Sequence, residues 1–216
     1  MIVDERIVDY IHSLETRNSD ILETIEQEAL KERVPIIRKE MQSFLKVLLL
    51  LKRPKRILEI GTAVAFSAIL MSEYTEEDCI IDTIENYEKR IQKAKENIRC
   101  AGKEGRIHLL EGDAMEWMRK LSGPYDVIFV DAAKAQYPHY MQQFRTNLAE
   151  GGVFVFDNLN FHGMVEDPSL TENKGTKQMI KKLRRFRETL MTDPNCLTQF
   201  YPEVGDGVAV VGLLRK

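Results

Sequence analysis

The chain changes its hydrophobic rhythm once. Over the first 55 residues apolar positions recur at helical spacing: Ile21, Ile25, Ala29 and Leu30 follow one face, and Phe44, Leu45 and 47–51 crowd the end of a second segment that Pro54 stops. Asp20, with Glu23 three residues on, predicts a capping box for the first helix, and Pro35 restarts the chain into the second. A stretch as continuously apolar as 47–51 calls for burial against another element.

From Arg56 onward short apolar runs alternate with amphipathic stretches. The runs over 56–61, 79–85, 106–112, 125–133 and 152–158 read as strands, β-branched and without polar alternation, as strands covered on both faces are. Helices are expected between them, over 67–73, 87–101, 114–121 and 138–148, and that order predicts a parallel sheet with helices on both sides. The last third departs from the pattern. A helix over 176–192 precedes two apolar runs, 197–204 and 208–214, joined by Gly205-Asp206-Gly207, which predicts an antiparallel hairpin closing the sheet edge. No repeat or linker interrupts the chain. The expectation is therefore one α/β domain over 1–216, with a helical extension (1–55) on a doubly wound core (56–216).

Composition narrows the function classes. With 44% hydrophobic and 30% charged residues the 216-residue chain is globular in character. A net charge of -3 gives no global basic field. No apolar run approaches the roughly 20 residues of a membrane span, and MIVDERIVDY lacks the basic-then-apolar pattern of a signal peptide. Cys79, Cys100 and Cys196 form no CxxC pair, so reduced thiols and a cytoplasmic setting are expected. His12, His108, His139 and His162 show no zinc spacing.

In an open parallel sheet, ligands bind beyond the carboxyl ends of the strands. Gly61 follows the first strand, where it permits a sharp turn and close backbone approach, or marks a plain strand-to-helix turn. Ala63 and Phe66 break the G-x-G-x-x-G fingerprint, which disfavours a nicotinamide cofactor. Glu85 ends the second strand, where it either accepts from ribose hydroxyls or caps a helix. Asp113 ends the third, as a helix cap or a partner for an adenine amino group. Singly each is weak; at three successive strand ends they form a set suited to an adenosine-containing cofactor. Asp131 ends the fourth strand and Asp157-Asn158 the fifth. Two carboxylates and an amide carbonyl suit a hard cation such as Mg²⁺, against the alternative of loop acids solvated at strand ends.

Taken together, LEIGTA (58–63), Glu85, GDA (112–114), YDVIFVDAAK (125–134) and Asp157-Asn158 followed by Gly163 resemble the cation-dependent O-methyltransferases of the catechol and caffeoyl-CoA type. The resemblance covers nearly the whole chain. It implies a Rossmann-like class I methyltransferase fold, with a seven-stranded, mostly parallel sheet, S-adenosyl-L-methionine as cofactor, Mg²⁺ or another hard divalent cation, and a homodimer. By motif, Glu59, Gly61, Ser67, Glu85, Asp113 and Ala114 would line the cofactor, with Gln42 at its methionine end. Asp131, Asp157 and Asn158 would hold the metal, Asp131 also meeting the cofactor, and Lys134 with Asp131 would act on the acceptor hydroxyl. Ala65 and Ala135 stand where the family has glycine, and the methyl of Ala65 is expected to crowd the methionine portion.

Within the family, DAAK-x-QY and DN-x-x-F-x-G look closest to the bacterial tRNA 5-hydroxyuridine methyltransferase branch, which implies a tRNA acceptor methylated at the wobble position. Tyr137 would stack on the planar acceptor, or be an exposed loop aromatic. The segment 174–187 carries seven basic residues and no acid. With Met179, Leu183, Phe186 and Leu190 as its apolar stripe, Lys181, Arg184 and Arg185 would track phosphates, or simply form a solvated face. A small catechol acceptor is the alternative. A silent cofactor- or RNA-binding module is a second one, opposed by the intact Asp131, Lys134, Asp157 and Asn158.

Overall fold

Short β-branched runs pair into one sheet, with the helices packed on its two faces. The computed structural model describes residues 6, 10 and 13–214, so His12 and most of the first twelve positions lie outside the described residues. The strands are β1 (Arg56–Ile60), β2 (Ile80–Glu85), β3 (Ile107–Glu111), β4 (Tyr125–Val130), β5 (Leu148–Phe156), β6 (Cys196–Tyr201) and β7 (Val208–Leu213). They lie in the order β3-β2-β1-β4-β5-β7-β6. The first five are parallel; β7 pairs antiparallel with β5 and with β6. The strand order reverses direction between β1 and β4, which opens a crevice at their carboxyl ends.

The helices follow in chain order: α1 (Asp20–Glu32), α2 (Lys39–Lys52), α3 (Phe66–Glu73), α4 (Glu88–Cys100), α5 (Ala114–Met118), α6 (Tyr137–Phe144) and α7 (Lys174–Thr192). The cap of α1 sits one residue earlier than the sequence suggests. Ser19 Oγ accepts from the Leu22 N–H at 3.5 Å, and Glu23 reaches back to the Asn18 N–H at 3.2 Å. Asp20 instead starts the first turn, where its charge suits the helix dipole. The helix expected over 138–148 stops at Phe144, and β5 begins at Leu148, four residues before the expected start. Leu148 pairs with Tyr125, after which the register shifts and Gly151 takes φ 70°. A glycine there lets the strand absorb extra residues without a Cβ clash.

Successive strand residues face opposite helix layers, so both faces are dry. Ile57, Val127 and Val155 pack beneath Met41, Leu45, Phe66 and Ile69 of α2 and α3. Leu58, Ile128, Phe154 and Phe156 pack beneath Tyr137, Phe144, Leu183 and Phe186 of α6 and α7. Burying each such side chain contributes about 1.5–3 kcal/mol. The apolar end of α2 is covered only in part. Leu45 and Leu49 are buried, whereas Val47, Leu50 and Leu51 are 57%, 64% and 80% exposed. Among the described residues no helix is long and apolar enough to cross a membrane.

Candidate active site

The ends of five parallel strands, the segment 35–38 leading into α2, and the β6–β7 turn enclose a cavity of about 600 Å³. Each wall owes its shape to a local device. Gly61 takes φ 104°, and a Cβ there would overlap the Asp131 carbonyl, so only glycine lets β1 and β4 close at this point. The loop continues through Ala63 and Ala65 at φ 48° and 65°. Glu85 fixes it: one carboxylate oxygen accepts from the Ala63 N–H at 2.8 Å, the other from Asn86 and Tyr87 N–H at 2.9 Å each. Asp113 caps α5 by accepting from the Met115 N–H at 2.8 Å and stays exposed at the wall, beside Gly112 and Ala114. The carboxylates of Glu85 and Asp113 both line the cavity, an acceptor pair that fits the hydroxyl and amino donors of an adenosine.

Glu59 and Gln42 sit differently from the expectation. Both are buried and lie behind the wall. Glu59 accepts from Ser67 Oγ at 2.5 Å and from Thr83 Oγ1, and Thr83 in turn lies 2.6 Å from Thr62 Oγ1. Burial pushes its carboxyl up to about 7, against the lowering by the two hydroxyl donors. Only Ser67 and Thr62 from this network reach the cavity. Gln42 donates to the Ile37 carbonyl at 3.2 Å and to Glu26 at 3.0 Å, and accepts from Asn18 at 2.8 Å. It thus braces the 35–38 wall from the rear, satisfying a buried amide that would otherwise be costly. Ala65 is fully buried in the α2–α3 core and absent from the wall, so its methyl does not crowd the cavity.

Across the crevice Asp131, Lys134, Asp157 and Asn158 share the same cavity. Lys134 Nζ lies 2.5 Å from Asp131 Oδ1. Asp157 is 1% exposed, and its Oδ1 accepts from the Asn158 N–H at 2.6 Å. Burial, and then the charge of Asp131, push the Asp157 carboxyl up to about 7. Two acids this close, one without a cationic partner of its own, fit a positive ion that would relieve both burial and repulsion. Among the described residues no three His, Cys, Asp or Glu side chains form such a group alone, so the amide of Asn158 is needed for a third protein ligand.

Tyr137 is not an exposed loop aromatic. It is fully buried against Phe156 and Phe186, and its hydroxyl donates to the Asp157 carbonyl at 2.9 Å. It anchors the end of β5 and has no face to offer an acceptor. On α7, Lys181 and Arg185 are exposed, but Arg184 turns inward and donates to the Val165 carbonyl. None of the three lines the cavity. Residues that the sequence did not single out do line it: Arg38, His162, Tyr140 and Asp206. Thr83 carried one signal, a polar residue within the apolar run of β2. Asp206 read only as turn chemistry.

A profile of the O-methyltransferase family matches residues 12–214. A catechol O-methyltransferase of Niastella koreensis is 30% identical over 151 residues, 68% of this chain and 66% of that protein, so the match spans just under two thirds of the relative. The structure resembles that of a putative caffeoyl-CoA O-methyltransferase from Staphylococcus aureus, with a TM-score of 0.86 and 31% identity over 96% of this chain and 97% of that one. It also resembles the SAH-bound methyltransferase PaMTH1 of Podospora anserina, with a TM-score of 0.87 and 26% identity over 100% and 99% of the two chains. With the family profile spanning nearly the whole sequence and the seven-stranded fold matching end to end, the chain belongs to the O-methyltransferase family of the catechol and caffeoyl-CoA type.

Proposed function

We propose that this chain is an S-adenosylmethionine-dependent O-methyltransferase that requires Mg²⁺ or a similar divalent cation and methylates O5 of 5-hydroxyuridine in tRNA. The observation that carries the reaction type is the meeting, in one cavity, of Gly61, Glu85 and Asp113 with Asp131, Lys134, Asp157 and Asn158. When bound, the cofactor supplies a sulfonium methyl. A divalent cation would hold two neighbouring acceptor oxygens and lower the pKa of the hydroxyl. The chain's own groups do the rest. Glu85 and Asp113 orient the adenosine end, Gly61 lets the backbone approach, and Asp131, Asp157 and Asn158 hold the cation. Lys134, fixed by Asp131, steadies the developing oxyanion by charge.

The tRNA acceptor is supported by the subfamily motifs and by α7, where Lys174, Lys181, Lys182 and Arg185 are exposed while Lys177 and Arg187 pair with Glu172 and Glu166. α7 packs beside the turn that carries Lys134, which sets the helix next to one wall of the cavity. A small vicinal-diol acceptor is the second reading, favoured by the relative named a catechol O-methyltransferase. The same chelating geometry serves both. We further propose that the chain acts as one catalytic domain, in the cytoplasm, as a homodimer. Free Cys79, Cys100 and Cys196 support a reducing compartment, and the exposed apolar row of α2 supports self-association.

The test is methyl transfer from labelled S-adenosylmethionine, with Mg²⁺, to tRNA carrying 5-hydroxyuridine, read by nucleoside mass analysis. 5-Methoxyuridine that disappears on chelation is the expected product. Replacing Lys181, Lys182 and Arg185 by Ala should weaken tRNA binding and flatten its salt dependence. Arg184 is left in place because it ties the chain at Val165. Turnover of catechol alone would overturn the RNA acceptor. Asp157→Ala should abolish cation-dependent turnover with an unchanged circular dichroism spectrum, and full activity in that variant would remove the metal assignment.

A further inference from the structure

The loop after β5 carries an unusual load of backbone strain. Asn158, Phe161 and His162 take φ 57°, 47° and 57°, in the left-handed region that bulky side chains such as those of Phe161 and His162 adopt only at a cost. Something outside the loop must hold it, and the contacts converge on the β6–β7 turn. The Leu159 N–H donates to the Gly207 carbonyl and the Asn160 N–H to the Asp206 carbonyl, each at 2.8 Å. The His162 N–H points between both carboxylate oxygens of Asp206, at 2.8 and 3.0 Å. The fit is close on each side of Asp206. A Cβ on Gly207 would overlap the Asn160 amide, and one on Gly205 would press on Met41 Cβ at 3.3 Å.

The Asp206 side chain is 7% exposed, with the His162 ring 3.6 Å away, and its charge opposes ionisation of the neighbouring Asp157. A third carboxylate here therefore works against the electrostatics of the acid pair. Its gain is geometric. An acceptor of this length, rising from a turn already bonded to Leu159 and Asn160, reaches the His162 N–H and so ties the far end of the strained loop to the same turn.

We propose that Asp206 is a positioning residue: by accepting the His162 N–H it locks the loop 158–163 so that Asn158 and Asp157 present their oxygens to a single cation. The acceptor oxygen matters in this role, and the charge does not. The claim rests on the cation reading above, but its central measurement does not.

Three chains are compared with wild type: Asp206→Ala, which removes the acceptor; Asp206→Asn, which keeps a carbonyl oxygen and removes the charge; and Asp206→Ser, too short to reach, in case the alanine variant does not fold. Amide hydrogen exchange over 158–163 is read first, without metal, cofactor or acceptor. Faster exchange by tenfold or more in the alanine or serine variant, restored in Asp206→Asn to within about threefold of wild type, is expected. Mn²⁺ titration followed by electron paramagnetic resonance is read second. There the alanine or serine variant should bind at least tenfold more weakly, and Asp206→Asn should match wild type or bind up to about threefold more weakly. Unchanged exchange in the alanine and serine variants overturns the positioning role, as does an Asp206→Asn chain that exchanges as fast as they do. Wild-type protein that takes up no Mn²⁺ overturns the cation reading instead, and leaves the exchange result to decide the role of Asp206.

Discussion

A carboxyl group buried behind a binding wall makes stability depend on pH, and Glu59 is such a group. Burial holds it up to about 7, while its ordinary value is 4.5. Between those values the folded chain keeps a proton that the unfolded chain has released. Stability therefore falls as pH rises from about 4.5 to 7 and is level above, by at most about 3 kcal/mol. Asp157, also held up to about 7, adds a slope of the same sign. The informative quantity is thus the difference between wild type and Glu59→Gln in urea unfolding at pH 4.5, 6 and 8. The wild-type loss should be the larger; equal losses would mean that Glu59 ionises normally. Ala65 gives a second prediction. Replacing it by glycine relieves about 1–2 kcal/mol of left-handed strain, but adds unfolded-chain entropy of about 0.4–1 kcal/mol and removes a buried methyl worth about 0.8 kcal/mol. The terms nearly cancel, so Ala65→Gly should stay within about 1 kcal/mol of wild type, with unchanged cofactor affinity by calorimetry. Tenfold tighter cofactor binding would put the methyl back at the cavity wall.

At the scale of the elements, the amino ends of the parallel strands are tied by one buried acid. Asp82 on β2 accepts from Arg56 of β1 at 3.0 Å, Tyr125 of β4 at 2.7 Å, and meets His108 of β3 at 3.0 Å. Burial, then Asp82, push the Tyr125 phenol well up, so it remains a donor. Tyr125→Phe removes one of three partners of a buried carboxylate and should cost about 1.5–3 kcal/mol in chemical denaturation. The tie lies at the opposite strand ends from the cavity, so cofactor affinity should not move. A loss in affinity would show that the tie sets the crevice as well. The same contrast explains what the sequence disclosed. A polar residue ending an apolar run marks a strand end, so Glu85, Asp113, Asp131 and Asp157-Asn158 could be read as a set. The burial of Tyr137 depends on Phe186, some fifty residues later in the chain, and the placement of Gln42 depends on hydrogen bonds to Asn18 and to Glu26 of α1. Neither has a local signature. The Gly-Asp-Gly turn was legible as a hairpin, while its grip on the loop 158–163 arises only once β7 lies beside β5.

The whole molecule joins its candidate site to an unpartnered surface through a single helix. The chain from Pro35 to Arg38 lines the cavity and leads directly into α2. One helical face farther along, Val47 and Leu51 stand exposed one turn apart, and Phe44 packs on Tyr201 of β6 at 5.3 Å between ring centroids. An apolar row on a helix whose other side is already in the core suits an isologous contact, in which the same row of a second copy covers it. Such a contact would brace α2 along its length, and with it the 35–38 wall. Val47→Glu combined with Leu51→Glu should then shift the protein from dimer to monomer in sedimentation velocity at micromolar concentration. Because the wall loses its brace, S-adenosylhomocysteine should bind severalfold more weakly to the monomer, although neither residue touches the cavity. A wild-type chain that sediments as a monomer at 100-fold higher concentration would remove the dimer. A monomeric variant with wild-type affinity would leave the dimer in place and show that α2 is stiff enough alone.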